Sequence, residues 1–183
     1  GVSLAWSPDG ETIACCKNCK YDSSDSSVEL MSKTGRYKGT LRGHTGTVRS
    51  VAFSPNGSLL ASAGVYLDDK VRLWDPRTRE PKSTLMRNGV SLAWSPDGET
   101  IACCKNCKYD SSDSSVELMS KTGRYKGTLR GHTGTVRSVA FSPNGSLLAS
   151  AGVYLDDKVR LWDPRTREPK STLMRNGVSL AWS

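Results

Sequence analysis

SVAFSPNGSLLASAGVYLDDKVRLWD, at residues 50–75, decides the fold, and the same stretch recurs unchanged at residues 138–163. Val51 and Phe53 alternate with small residues, and this period of two is typical of a strand with one buried face. The Ser-Pro-Asn-Gly run that follows predicts a turn, because proline fixes φ and Asn-Gly tolerates positive φ. Two more short apolar runs then give the stretch three strands.

Working outward, the whole chain is repetitive. Residues 89–183 reproduce residues 1–95 at a spacing of 88, so two identical units are followed by the overhang GVSLAWS. Within each unit, VSLAWSPDGETIACC resembles RSVAFSPNGSLLASA, so each unit divides again. We assign four modules of two alternating types and one extra inner strand: module A at 1–44 and 89–132, module B at 45–88 and 133–176, and the overhang at 177–183.

Perfect identity between the units bears on their origin, because old duplications diverge. It favours a synthetic, deliberately symmetrised gene, of de novo design, with a recent amplification as the alternative. The apolar fraction of 36% and five tryptophans are enough for a packed core between neighbouring modules. No apolar run of about 18 residues and no signal peptide occur, so no membrane association is predicted.

Each module predicts four short strands and no helix, with turn signals about every 8 to 12 residues. Module B carries further marks: Gly43-His44, then SVAFSPNG, LLAS and Asp68, then VRLWD ending at Asp75. These residues resemble the WD-repeat β-propeller family, whose repeats of about 40 to 45 residues carry a GH…WD signature. The resemblance covers the whole chain and implies an all-β fold with four four-stranded propeller blades.

Four such blades would leave a ring half complete and two apolar blade faces open to water, which favours association. We expect the chain's first partner to be itself, with two chains closing into an eight-bladed ring by dimerisation. The overhang would then compete with the partner's first strand or replace it as a swapped clasp. Alternatively it would be disordered, or it would begin a further blade.

The resemblance also implies a buried polar network in each module B, formed by a His, a Ser, an Asp and a Trp. Indole only donates, carboxylate only accepts, and histidine can bridge them. Although a Ser, a His and an Asp could form a catalytic triad, we interpret them as structural. The two sets are His44, Ser62, Asp68 and Trp74, and His132, Ser150, Asp156 and Trp162.

Module A departs from this pattern and keeps only the aspartate. We therefore expect packing, rather than a polar network, to hold its blades together. The departing positions carry Asn88, Cys15 and Cys103, and Met31 and Met119, while Asp25 and Asp113 remain.

The cysteines of module A form a Cys-Cys-x-x-Cys run, Cys15, Cys16 and Cys19, repeated once. A Cys-x-x-Cys pair is half of a common zinc site, but no second pair lies nearby. We predict no metal and no cofactor, with Cys15 and Cys16 packing on opposite faces of a strand; metal binding and disulfide formation are lesser alternatives. Free thiols suit a reducing cytoplasm or a recombinant origin.

The net charge of +8 suggests attraction to polyanions. Few aromatic residues accompany the basic clusters, so nucleic-acid binding is disfavoured. The Asp/Ser-rich loop at 21–27 lacks the glycine and glutamate of a calcium loop. No P-loop, nucleophile elbow or zinc-protease motif occurs, so we expect no enzyme. The basic clusters are Arg77, Arg79 and Lys82, and Lys33, Arg36 and Lys38.

Three functions remain open: a designed structural scaffold with no natural ligand, a protein-interaction scaffold as the resemblance implies, and a polyanion binder. In the second case, a protein partner would dock on the face that carries Tyr21, Arg49, Tyr66, Tyr109, Arg137 and Tyr154.

Overall fold

The computed structural model describes residues 3–17, 26–65, 68, 70–87, 89–105, 114–154, 156–174 and 180. In these ranges the chain forms strands and turns, with no helix. The strands are β1 (Leu4–Trp6), β2 (Thr12–Lys17), β3 (Ser27–Ser32), β4 (Tyr37–Leu41), β5 (Val48–Phe53), β6 (Leu60–Gly64), β7 (Lys70–Trp74), β8 (Pro81–Arg87), β9 (Gly89–Trp94), β10 (Thr100–Lys105), β11 (Val116–Ser120), β12 (Tyr125–Leu129), β13 (Val136–Phe141), β14 (Leu148–Gly152), β15 (Lys158–Trp162) and β16 (Pro169–Met174).

Consecutive strands pair into four sheets of four strands: β1–β4, β5–β8, β9–β12 and β13–β16. Within each sheet the strands follow the chain order. The β5–β6 pair, for example, is antiparallel, and Val51 lies opposite Ser62. The prediction of an all-β chain built from four four-stranded blades is confirmed.

The Ser-Pro-Asp-Gly and Ser-Pro-Asn-Gly runs form the turns that join the first two strands of the sheets. In the first, Gly10 adopts a φ of 71° and its N–H donates to the Ser7 carbonyl over 2.9 Å. The Asp9 carboxylate accepts from the Ser7 hydroxyl (2.5 Å) and from the Glu11 N–H (3.0 Å). The turn thus satisfies its own polar groups, which fixes the register of β1 against β2.

The chain divides into two compact units, Gly1–Gly89 and Val90–Ser183. Each unit contains one module A sheet and one module B sheet, and an apolar core lies between the two. In the first unit this core includes Ala14, Leu30, Leu41, Val48, Val51, Leu60 and Trp74. The second unit repeats it with the equivalent residues.

An arginine latch also joins the two sheets of each unit. Arg79, in the turn before β8, has a φ of 66°, and its Nη1 donates to the Lys38 carbonyl on β4 over 3.0 Å. A Cβ at Gly39 would lie 2.5 Å from Arg79 Cδ, so only glycine leaves room for this side chain. Arg167 repeats the bond to Lys126 over 3.1 Å.

No helix that could cross a membrane occurs in the part of the chain that the structure describes.

Candidate functional site

The four network residues of the first module B form one chain of hydrogen bonds. Trp74 Nε1 donates to Ser62 Oγ over 2.7 Å. Ser62 Oγ lies 2.6 Å from His44 Nε2, and His44 Nδ1 lies 2.5 Å from Asp68 Oδ2. The strands bring them together because β6 supplies the serine and β7 the tryptophan, while His44 follows β4 and Asp68 precedes β7.

The second module B repeats this arrangement. Trp162 Nε1 donates to Ser150 Oγ over 2.7 Å, and Ser150 Oγ lies 2.6 Å from His132 Nε2. His132 Nδ1 is bonded to Asp156 Oδ2. The two sets are therefore the same structure formed twice by identical residues.

One placement of the protons satisfies every atom of the chain. The indole can only donate and the carboxylate can only accept. Ser62 therefore accepts from Trp74 and donates its hydroxyl proton to His44 Nε2, and His44 donates its Nδ1 proton to the carboxylate. This requires a neutral imidazole beside an ionised aspartate.

The pKa values of the network agree with that arrangement. Burial disfavours the charged form of Asp68, but hydrogen bonds from His44 and Thr45 outweigh it, so its pKa lies well below the usual range. The same opposing effects lower the pKa of Asp156 to about 2. Burial lowers the pKa of His132 more than Asp156 raises it, which keeps the imidazole neutral at neutral pH.

Sequence reasoning missed three residues that complete the network. Thr45 donates to Asp68 Oδ1 from both its N–H and its hydroxyl, each over 3.1 Å, and Arg72 Nη2 lies 3.4 Å from the same oxygen. A Cβ on Gly64 would lie 2.1 Å from Asp68 Oδ2 and 2.7 Å from His44 Nδ1. The sequence offered one sign of these additional network residues, namely that Thr45 directly follows His44.

The Ser-His-Asp order is that of a catalytic triad, but the site cannot present a nucleophile. Ser62 is fully buried, and the side chains of His44 and Asp68 have no exposed surface. The Ser62 oxygen already accepts from the indole of Trp74, which occupies the space where a substrate would have to lie. This geometry holds a tryptophan in place and offers no route to acyl transfer.

The departing positions of module A differ between the copies, because Cys15 and Met31 of the first copy are partly exposed. Met119 and Cys103 are buried in the second copy, and burial, followed by the charge of Glu117, raises the pKa of the Cys103 thiol. Cys16 joins the core of the first unit, whereas Cys15 lies opposite Leu4 on the other face. Residues 19, 25, 88, 107 and 113 lie outside the described residues.

Metal binding has no support in the described ranges, which bring no three His, Cys, Asp or Glu side chains together as a metal-binding group. The described cysteines form no disulfide among themselves: Cys15, Cys16, Cys103 and Cys104.

The structure describes three of the six residues of the candidate partner face. Tyr154 follows β14 with a φ of 64° and is 68% exposed. Arg137 on β13 donates from Nη2 to the Tyr154 hydroxyl over 3.2 Å, and its Cζ lies 5.9 Å from the ring centroid. Arg49 is partly buried on β5. Tyr21, Tyr66 and Tyr109 lie outside the described residues.

The basic clusters make internal contacts. Lys33 pairs with Glu11 over 2.7 Å, and Lys82 lies 3.7 Å from Asp75. Arg79 forms the latch described above, and Lys38 donates to Thr12 Oγ1 over 2.6 Å. The carboxylates of Glu11 and Asp75 offset two of these positive charges, whereas the uncharged acceptors of Arg79 and Lys38 offset none.

Known proteins similar to this chain include several from eukaryotes. The "Probable cytosolic iron-sulfur protein assembly protein 1" of Malassezia globosa is 37% identical over 121 residues, covering 66% of this chain and 24% of that protein. "Nuclear distribution protein nudF" of Aspergillus flavus is 34% identical over 140 residues, covering 73% and 28%. "Cell division cycle 20.4, cofactor of APC complex" of Arabidopsis thaliana is 29% identical over 181 residues, covering 92% and 38%. The chain therefore spans well under half the length of each of these relatives.

The family model described as "WD domain, G-beta repeat" matches residues 35–75, 79–118 and 123–163, more than half of the chain. Each matched segment begins with the last strand of one sheet and extends into the third strand of the next. The described sheets contain four strands each, as a propeller blade does. The chain belongs to the WD40-repeat family of β-propeller proteins.

Proposed function

We propose that this chain is a non-enzymatic protein-interaction scaffold whose partners dock around Tyr154 and Arg137. The observation that supports it is the exposed Tyr154 ring held against the Arg137 guanidinium. Tyrosine and arginine are enriched among the residues that dominate binding energy at protein interfaces. A ring held in place loses little conformational freedom when a partner covers it.

The buried polar network supports the non-enzymatic part of this proposal, since its serine and histidine are satisfied and covered. The relatives support the interaction part. One of them is named a cofactor of a complex and another an assembly protein. The name of the second also includes "cytosolic", which supports a cytoplasmic location for this chain. The four described cysteines, which form no disulfide, fit a reducing compartment.

A phage-displayed peptide library selected against the full chain tests the proposal. Enriched peptides are then titrated against a variant that combines Arg49→Ala and Arg137→Ala with Tyr66→Ala and Tyr154→Ala. We expect at least tenfold weaker binding, because a hot-spot residue contributes more than about 1.4 kcal/mol. The control combines Tyr37→Ala with Tyr125→Ala, which removes two tyrosines that are each 61% exposed on outer strands.

Binding that is equally weakened by both variants, or unaffected by the first, would contradict the proposed surface. If no peptide is enriched, the protein-interaction proposal fails. The remaining candidate would then be a symmetrised structural scaffold with no natural ligand, which the identity of the two units supports. Both candidates, the interaction scaffold and the structural scaffold, include the proposal that two chains close into an eight-bladed ring.

A further inference from the structure

Each unit contains a cleft between its two sheets, at the end of the sheets where the proline-containing turns lie. The cleft has a volume of about 550 Å³ in the first unit and about 380 Å³ in the second. Volumes of this size are typical of clefts that bind ligands. Equivalent residues line both clefts, so one sequence forms the same cavity twice. The apolar lining is formed by Pro8, Phe53 and Pro76 in the first unit, and by Pro96, Leu118, Phe141 and Pro164 in the second.

Two contacts between the sheets hold the walls of the cleft together. A Cβ built on Gly57 would lie 3.4 Å from Pro8 Cδ, so the β1–β2 and β5–β6 turns lie in close contact. The arginine latch ties the backbone of Lys38 on β4 to the turn that carries Arg77. Equivalent contacts occur in the second unit. The cleft is therefore preformed, and a ligand that enters it loses little binding energy to reorganisation of the walls.

The asparagine of the β5–β6 turn also lines the cleft, and its amide group has unused donors. Asn56 Oδ1 accepts from the Ser54 hydroxyl over 2.9 Å, and from the Ser58 N–H and hydroxyl over 3.0 and 2.8 Å. These three donors fix the orientation of the amide, since its NH₂ group cannot accept them. No described residue accepts from that NH₂ group. Asn144 repeats the arrangement in the second unit.

Two cations complete the set of donors that line the cleft. The exposed Arg77 guanidinium makes no hydrogen bond to another described residue. Lys38 Nζ donates to the uncharged Thr12 Oγ1 over 2.6 Å, which leaves two of its three protons without an acceptor. Among the described lining residues the one carboxylate is Asp9, which already accepts two hydrogen bonds within its own turn. Two positive charges against one negative charge leave each cleft with an excess of one positive charge.

We propose that each cleft binds an acidic segment of a polypeptide, with an Asp or Glu carboxylate against the free donors and a neighbouring apolar side chain between the two prolines. Arginine binds carboxylates through paired N–H donors, and such charge-assisted bonds are the strong ones. The Asn56 amide and the Lys38 ammonium supply further donors to the same acid.

The mixed lining favours a peptide over a simple anion as the occupant. An inorganic anion would use the donors and leave Phe53 and the two prolines uncovered, whereas an apolar side chain next to the acid removes their surface from water. Neither Tyr154 nor Arg137 lines the cleft, so this site goes beyond the proposed function. The variants that test the two proposals do not overlap, and each proposal can therefore fail alone.

Nuclear magnetic resonance titration of the full chain tests the proposal. The probes are capped glycine–serine peptides that carry one glutamate and one leucine, separated by none, one or two residues. We expect the side-chain amide signals of Asn56 and Asn144 to shift with the same dissociation constant, because both units form the cleft. Replacing the glutamate by glutamine should weaken binding at least tenfold, since hydrogen bonds to charged groups contribute more than neutral ones. Replacing the leucine by serine should weaken it several-fold.

Arg77→Gln with Arg165→Gln removes one cation from each cleft and should also weaken binding at least tenfold. Arg36→Gln with Arg124→Gln is the control, because it removes the same charge from exposed turns at the same end of the sheets, outside the lining. Circular dichroism shows whether both variants keep their fold.

Three results would overturn the proposal. The first is the absence of any shift in either amide signal at millimolar peptide concentration. The second is equal binding of the glutamate and glutamine peptides, or equal weakening by the two pairs of arginine variants. The third is that inorganic phosphate produces the same shifts while replacement of the leucine has no effect, which would make the cleft a simple anion site.

Discussion

At the scale of single residues, the indole N–H of Trp74 is the donor on which the buried network depends. Trp74→Phe together with Trp162→Phe removes that donor in both units and leaves the buried serine with an unsatisfied acceptor. We expect the free energy of unfolding to fall by about 1–3 kcal/mol for each lost partner, in addition to the smaller volume of the ring. Thermal melting measures the change.

The matched control is Met31→Leu together with Met119→Leu, at the equivalent positions of module A. A swap of similar volume there should cost less than about 1.5 kcal/mol. Equal melting shifts for the two double variants would contradict the assignment of the network as the main stabilising feature of module B.

Gly64 and Gly152 occupy positions where a larger residue would clash with the buried network. A Cβ at Gly64 would overlap Asp68 Oδ2, at 2.1 Å, and the same clash occurs at Gly152, at 2.2 Å. Gly64→Ala with Gly152→Ala should therefore separate the His–Asp pairs and destabilise the chain by more than about 2 kcal/mol. Gly35→Ala with Gly123→Ala is the control, since both glycines have positive φ and the strain there should cost about 1 kcal/mol. Chemical denaturation compares the two, and a smaller loss for the first pair would refute the steric explanation.

The protonation states of His132 and Asp156 make stability depend on pH. The folded chain keeps His132 neutral, so protonation of the unfolded chain below the ordinary value of 6.5 favours unfolding. The Asp156 contribution is present above the ordinary value of 3.8 and is lost as pH falls through 3.8 toward about 2. Stability should therefore decline in two stages on acidification.

Urea denaturation across this pH range checks the expectation. Glu11→Gln with Glu99→Gln, which removes two exposed ion pairs, should leave the upper stage unchanged because exposed pairs contribute little. Constant stability from neutral pH down to about pH 5 would contradict the neutral state of His132.

At the scale of strands and turns, much of the fold was predictable because the information is local. The alternation of large and small residues predicted the strands, and the proline-containing runs predicted the turns that connect them. The network residues followed from the family resemblance of module B, but their hydrogen bonds did not, since these depend on how β6 and β7 lie beside His44 and Asp68. Gly64 could not be predicted, because the need for a glycine arises from how closely Asp68 and His44 approach it in the folded sheet. The arginine latch could not be predicted either, because Arg79 reaches a carbonyl 41 residues away.

The latch offers a test at this scale. Arg79→Asn with Arg167→Asn keeps a residue that tolerates positive φ but cannot reach the carbonyl of β4 or β12. We expect a loss of about 1 kcal/mol of unfolding free energy, the usual contribution of one hydrogen bond. Arg77→Asn with Arg165→Asn, two positions earlier in the same turns, should change stability less. A similar effect of both pairs would mean that the latch bonds contribute no stability.

At the scale of the whole molecule, two identical units of one sequence show that exposure is not a property of sequence alone. Trp6 and Trp94 have the same neighbours along the chain, yet one lies in solvent and the other is buried. Composition and periodicity predict which side of a strand is apolar, but not which apolar face finds a neighbour. Prediction from sequence therefore covered the strands of each blade, but not the exposure of individual residues.

That difference has a spectroscopic consequence. Nuclear magnetic resonance distinguishes nuclei only by their surroundings, so the indoles of Trp6 and Trp94 should give two signals in a free chain. Trp74 and Trp162, buried in the same way, should nearly coincide.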